Sequence, residues 1–101
     1  MSPARKLNPI EQMFARCVPD DQGCLVWTGA RIWSGYGQLS IDGRRTSPHR
    51  AAWIAAHGPI PRGLEVDHIC RNRACANVEH LQVVTHRENL RRAIRRPRNA
   101  A

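Results

Sequence analysis

The alternation of apolar and polar positions divides the chain into short elements. Ile10, Met13 and Phe14 recur at helical spacing behind Asn8-Pro9, a cap followed by a proline at the first helical position. This predicts a short packing helix over Pro9 to Cys17. Cys24 to Thr28 and Tyr36 to Ile41 read as strands, and Asp42-Gly43 turns the second into Arg44-Arg45-Thr46 as a hairpin. Ser47-Pro48 opens a second helix through Ala51-Ala52-Trp53-Ile54-Ala55-Ala56, which Gly58-Pro59 stops. Leu64-Glu65-Val66 alternates as a strand does, and Leu81-Gln82-Val83-Val84 reads as another. Thr85 with Glu88 is a capping box that starts a last helix and puts Asn89 in its first turns. Strand, loop, strand and helix then bring Asp67 and His68 against Asn89. Trp27 and Trp53 are expected in the core, whereas Trp33, in a polar loop, is suited to stack on a base.

Composition narrows the class. A chain of 101 residues is one domain, spanning 1–101, with 1–8 and 97–101 expected to be loose. A core this small stabilises only marginally, so a structural metal would have a clear role. The net charge of +8 and the pI of about 11.0 favour a polyanionic partner, nucleic acid before membrane. Fifteen of the sixteen basic residues are Arg, which a GC-rich genome also produces, but Arg is in addition the better bidentate phosphate binder. Met1 to Ile10 carries no apolar signal region, which places the chain in a reducing cytoplasm, where four cysteines suit metal ligation better than disulfides.

The chemistry concentrates in the 26 residues from Leu64 to Asn89. Cys70, Cys75 and His80 follow a Cys-x4-Cys-x4-His spacing that can fold three side chains onto one Zn²⁺. Cys24 is the best fourth ligand for a Cys3His shell, with Cys17 as its rival. Asp67, His68 and Asn89 form a second set, of hard oxygen ligands and one imidazole. They suit Mg²⁺ or a similar cation such as Mn²⁺ or Ni²⁺, with a base beside it. Asn77, inside the knuckle, is expected to fix the loop through backbone hydrogen bonds. For nucleic-acid contact the candidates are Arg44 and Arg45 on the hairpin, with Arg31 before it, Arg91, Arg92 and Arg95 on the last helix, and Arg50 in the first turn of the second, which on the sequence alone reads at least as well as an ordinary surface residue. The hairpin reads equally as a ribbon for the DNA major groove or as a solvated sheet face, and the arginine-rich helix also reads as a solvated face.

The Asp-His pair, the Cys-x4-Cys-x4-His knuckle and the Arg-Glu-Asn opening the last helix resemble an HNH endonuclease with the ββα-metal (His-Me finger) fold. The spacing of Cys70, Cys75, His80 and Asn89 from His68 is similar to His-Cys-box homing endonucleases, and Asp67-His68 resembles phage HNH enzymes. The likeness extends to Gly23 to Gly29, Gly35-Tyr36-Gly37, His49-Arg50 and His57 to Pro61, covering roughly Gln12 to Arg92. It implies an α+β fold: one small domain of antiparallel hairpins, zinc-stabilised, with a ββα-metal core at about 64–96. It further implies cleavage of DNA in a phage or its bacterial host, with His68 as general base and Asp67 and Asn89 holding one cation. The products would carry 5′-phosphate and 3′-hydroxyl ends. Asn77 then stands as the central N of the family name, and Asn89 replaces the usual last histidine. A homodimer would supply the second site needed to cut both strands together.

The competing reading is a zinc-stabilised DNA- or RNA-binding module without catalysis. Asp67, His68 and Asn89 discriminate between them, because a pure binder has no reason to keep an acid beside nucleic-acid phosphates, which it repels unless a cation intervenes.

Overall fold

The structure, a computed structural model, describes residues 7–95, with side chains through Arg91 at the C-terminal end. Of the segments expected to be loose, 1–8 and 97–101, residues 1–6 and 97–101 lie outside the described residues, as do the side chains of Arg92 and Arg95, while Asn8 is described and caps the first helix.

Helix α1 (Pro9–Ala15) starts where the capping signals place it. Asn8 Oδ1 accepts from the Glu11 amide at 2.8 Å, and Glu11 Oε1 accepts from the Asn8 amide at 3.0 Å, so two first-turn donors are satisfied reciprocally. The helix ends before Cys17, which was expected within it. Cys17 instead opens β1 (Cys17–Pro19), paired antiparallel with β2 (Leu25–Trp27). Strand β3 (Leu39–Ile41) is shorter than the pattern predicted, because Gly37 and Gln38 turn back on the preceding loop through an Arg31–Gly37 bridge and a bond from the Gln38 amide to the Ala30 carbonyl. Gly37 admits no side chain: a Cβ there would lie 2.7 Å from both Pro48 Cδ and Trp27 Cδ1. Strand β4 (Arg44–Thr46) completes a hairpin with β3 around Asp42 and Gly43, whose φ angles of 51° and 80° are those of a tight Asp-Gly turn.

Helix α2 (Pro48–His57) closes on Gly58, and its Ala51 and Ala52 enter the core. Strands β5 (Leu64–His68) and β6 (Leu81–Thr85) form the third two-stranded antiparallel sheet, in register from Leu64–Thr85 to His68–Leu81. A turn of 3-10 helix, Val78–His80, leads into β6, and α3 (His86–Arg95) follows with Thr85 Oγ1 accepting from the Glu88 amide. This is the expected α+β arrangement of hairpins and a ββα unit. Met13, Trp27, Ala51, Ala52, Val66, Ala76 and Leu81 form one core to which both halves of the chain contribute, so Trp27 packs as anticipated and Trp53 lies against its edge.

Candidate active site and metal centre

Cys24 reaches the knuckle through backbone pairing. Trp27 N donates to the Ala74 carbonyl and Ala76 N to the Leu25 carbonyl, at 2.9 and 2.8 Å, so an isolated antiparallel bridge between Val26 and Cys75 ties the knuckle to β2. Asn77 ties the other side: its Nδ2 donates to the Gly23 carbonyl at 2.7 Å while its Oδ1 accepts from the Glu79 amide. Its amide therefore holds two loops together.

The result is a group of four donors, Cys24, Cys70, Cys75 and His80, whose ligand atoms lie within 4.8 Å of one another. His80 Nδ1 is 3.5 Å from Cys24 Sγ and 3.6 Å from Cys75 Sγ. Cys17 is not in this group; its thiol meets the Met13 carbonyl. Burial, as the largest cause, pushes the Cys24 and Cys70 thiols above their ordinary range, and the neighbouring sulfurs push Cys24 further. Thiols crowded this way are costly without a cation, which favours the thiolate and turns the crowding into ligation. Three sulfurs and one imidazole nitrogen are the donor set of a closed tetrahedral zinc site.

His68 ends β5 and is 5% exposed. Its Nε2 lies 2.9 Å from the Cys75 carbonyl. A carbonyl only accepts, so Nε2 carries the proton and Nδ1 the lone pair. Burial lowers the His68 pKa, with Arg73 and His80 acting in the same direction, while the carbonyl and Asp67 oppose them. The His68 ring packs at 4.6 Å on that of His49, and Tyr36 stacks on both at 5.4 and 6.1 Å. Arg73 lies over the Tyr36 ring and donates to the Ser34 carbonyl.

Alternate residues of a strand share a face, so Glu65 and Asp67 stand together on β5. Asp67, 9% exposed, accepts from Gln82 Nε2 through Oδ2. Asn89 extends from α3 to this face, where its Nδ2 donates to Glu65 Oε1 at 2.7 Å. His86 Nδ1 meets the other Glu65 oxygen at 2.8 Å. The Asn89 amide, and secondarily His86, hold the Glu65 carboxyl below its ordinary range. Glu65 was missed in the sequence; the available signal was its position two residues before Asp67 on an alternating strand.

A cleft of about 510 Å³ opens beside this face, with Arg45, Ser47, His49, Arg50, Glu65 and Asn89 among the residues on its walls. Arg44 is not among them: adjacent residues of β4 point to opposite faces, so the hairpin divides its two arginines. Arg31 is engaged with the Trp27 carbonyl, Arg91 pairs loosely with Glu88, and Trp33 is 97% exposed.

A model of the HNH endonuclease family matches residues 48–91, from the start of α2 through the knuckle into α3. The chain is also 43% identical over 75 residues to the uncharacterized gene 5.3 protein of Enterobacteria phage T3, across 67% of this chain and 74% of that protein. The chain belongs to the HNH endonuclease family. It is 35% identical over 79 residues to Protein 7.7 of Escherichia phage T7 and 37% identical over 81 residues to Protein 2.8 of the same phage. These alignments cover 78% of this chain in each case, but only 61% and 55% of the two T7 proteins. No solved structure matches the chain. Membership of the HNH family supports a nuclease-type function in general, and no helix among the described residues is long and apolar enough to cross a membrane.

Proposed function

We propose that this HNH-family chain is a metal-dependent DNA endonuclease that hydrolyses a phosphodiester bond. His68 is the general base, and Asp67 and Asn89 hold one divalent cation, Mg²⁺ by preference, with Mn²⁺ or Ni²⁺ as substitutes. A Zn²⁺ on Cys24, Cys70, Cys75 and His80 is structural. The observation that carries this reading is the buried His68 ring, whose Nε2 lies 2.9 Å from the accepting Cys75 carbonyl, which favours the lone pair on Nδ1, and whose burial lowers its pKa. A neutral imidazole with a directed lone pair is what proton removal from water requires near neutral pH.

In this mechanism Nδ1 of His68 takes a proton as the water oxygen bonds to phosphorus. The bond from phosphorus to the 3′ oxygen breaks, and that oxygen leaves with the electron pair and is then protonated. Asp67 and Asn89 are suited to a hard cation: one is a carboxylate, and the other donates through Nδ2 to Glu65, which leaves Oδ1 for ligation. Such a cation, when bound, stabilises the charge that develops on the departing oxygen. DNA is the partner expected from the family and from the net charge of +8. Arg45 and Arg50 on the cleft, Arg91 on α3 and the exposed Trp33 are the contacts this reading assigns to it.

The test is nicking of supercoiled plasmid with Mg²⁺ by wild type and His68→Ala, at matched folding and zinc content. The wild type should convert plasmid to open circles, and the variant should bind DNA equally while losing about 10²–10⁴-fold in rate. If neither cuts with Mg²⁺, Mn²⁺ or Ni²⁺ and both bind, the chain is a zinc-stabilised binding module instead.

A further inference from the structure

The first turn of α2 gathers two buried side-chain atoms that have no hydrogen-bond partner among the described residues. Ser47 stands at the cap with extended backbone, the position from which a serine hydroxyl ordinarily accepts from a first-turn amide, yet it makes no such bond. Its Oγ is buried without a partner. Pro48 has no N–H, and the Ala51 amide already donates to the Ser47 carbonyl, so the amides of His49 and Arg50 are the first-turn donors that helix geometry leaves over. His49 is 8% exposed, and its Nδ1 is likewise buried without a hydrogen-bond partner.

Ser47 and His49 line the cleft together with Arg45 and Arg50, with the two orphaned atoms just beneath its wall. No acidic residue lies in the first turn of α2. The carboxylate on the wall, Glu65, already receives hydrogen bonds from Asn89 and His86. A hydroxyl, two backbone amides and two guanidinium groups are all donors, the His49 imidazole donates in the tautomer that protonates Nδ1, and the N-terminal end of a ten-residue helix adds positive potential. Their common complement is a tetrahedral anion with several acceptor oxygens.

We propose that Ser47, His49 and Arg50, with Arg45, form a phosphate-binding subsite at the N-terminus of α2 that holds a backbone phosphate of the nucleic acid beside the one at which His68 acts. The His49 ring lies 4.6 Å from that of His68, whereas His68 does not line the cleft, so the two histidines serve neighbouring positions on one strand. That the phosphate belongs to a nucleic-acid backbone rests on the nuclease reading; the anion site itself does not.

Ser47→Asp is the decisive variant. Aspartate is as favourable as serine at a helix N-cap, while its charge repels an anion, and circular dichroism and melting matched to wild type verify that the variant is folded. Zinc-loaded full chain with ¹⁵N-labelled histidine is titrated, without other divalent cations, with inorganic phosphate and separately with the dinucleoside phosphate dTpdT. Duplex affinity is measured in parallel against salt. The wild-type His49 ring signals should shift with dTpdT, and Ser47→Asp should abolish the shift, weaken duplex binding about tenfold and reduce the salt slope by about one. An unmoved His49 ring together with wild-type affinity and slope in Ser47→Asp overturns the subsite. A response to inorganic phosphate and none to dTpdT overturns its assignment to a nucleic-acid backbone. Cleavage is not read, so failure to nick plasmid bears on the nuclease reading alone.

Discussion

The knuckle around Cys75 and the first turn of α2 both press polar atoms against the core, and they use them in opposite ways. In the knuckle the polar groups are turned on one another. Four ligand atoms lie within 4.8 Å, Asn77 bonds Gly23 and Glu79, and the Cys75 carbonyl meets His68. At α2 the serine that should cap the helix does not, and the imidazole two residues on has a nitrogen with no partner. Buried polar groups are nearly always satisfied, and leaving one unpaired costs about 1–3 kcal/mol. The hydrogen-bonded groups of the knuckle hold its loops together, and the unsatisfied ones at α2 are those the proposed phosphate subsite would use.

Removing a knuckle ligand should give the largest effect. Structural zinc contributes an apparent free energy of about 10–16 kcal/mol in small domains, as much as such a domain's whole stability. Cys75→Ser should therefore leave the chain unfolded at 37 °C and without zinc, read by circular dichroism and metal content. A cooperative melt with full activity would show that the core of Met13, Trp27 and their neighbours suffices without the knuckle.

His49 ties acid stability to the other region. Burial, with help from the charges of His68 and Arg50, lowers its pKa from 6.5 to about 3. As the pH falls below 6.5, the unfolded chain takes up a proton that folded His49 refuses, so stability is full above that pH and drains away toward pH 3. One such proton corresponds to about 1.4 kcal/mol per pH unit. Melting of wild type and His49→Gln in phosphate-free buffer should differ by this slope between pH 6 and 5; equal slopes would mean that the buried imidazole is already charged. Loss of zinc in acid affects both proteins and cancels in the difference.

Much of the knuckle was legible in the sequence because its ligands are close in the chain and their spacing is set by loop closure. Cys24 could be named only as a supplier, since the pairing of Leu25 and Trp27 with Ala74 and Ala76 that brings it in is a long-range backbone contact. The hairpin at Asp42-Gly43 and the caps at Asn8 and Thr85 followed from local chemistry. Helix α1 was read too long because nothing in the run to Cys17 marks the point where pairing with Trp27 outweighs helix propagation. Of the candidate active site, Asp67, His68 and Asn89 were named from a pattern. Glu65, the group bonded to Asn89, was passed over as an ordinary strand residue, and the orphaned atoms of Ser47 and His49 are visible only once the core has closed over them.

Glu65 stands between the two regimes and, under the proposed mechanism, acts through Asn89. Its Oε1 takes the Asn89 Nδ2 at 2.7 Å, which fixes which end of that amide is free to ligate. Outer partners of this kind are worth about 10–100-fold in metal affinity. Glu65→Gln should raise the Mg²⁺ concentration needed for half-maximal nicking by about tenfold, with excess Mg²⁺ restoring the rate. A lowered rate at saturating Mg²⁺ and an unchanged requirement would instead place Glu65 against the reacting groups.

The smallest effect separates the cleft from the hairpin that forms part of its wall. Arg44 and Arg45 are adjacent on β4, and only Arg45 lines the cleft. If the cleft grips the phosphates, Arg45→Ala should lower the salt slope of duplex binding by about one and Arg44→Ala should leave it unchanged. A ribbon laid in the major groove behaves differently, because its arginines reach phosphates on both walls or base edges between them. In that case the two variants lose affinity alike, and the hairpin, rather than the N-terminus of α2, sets where the strand runs.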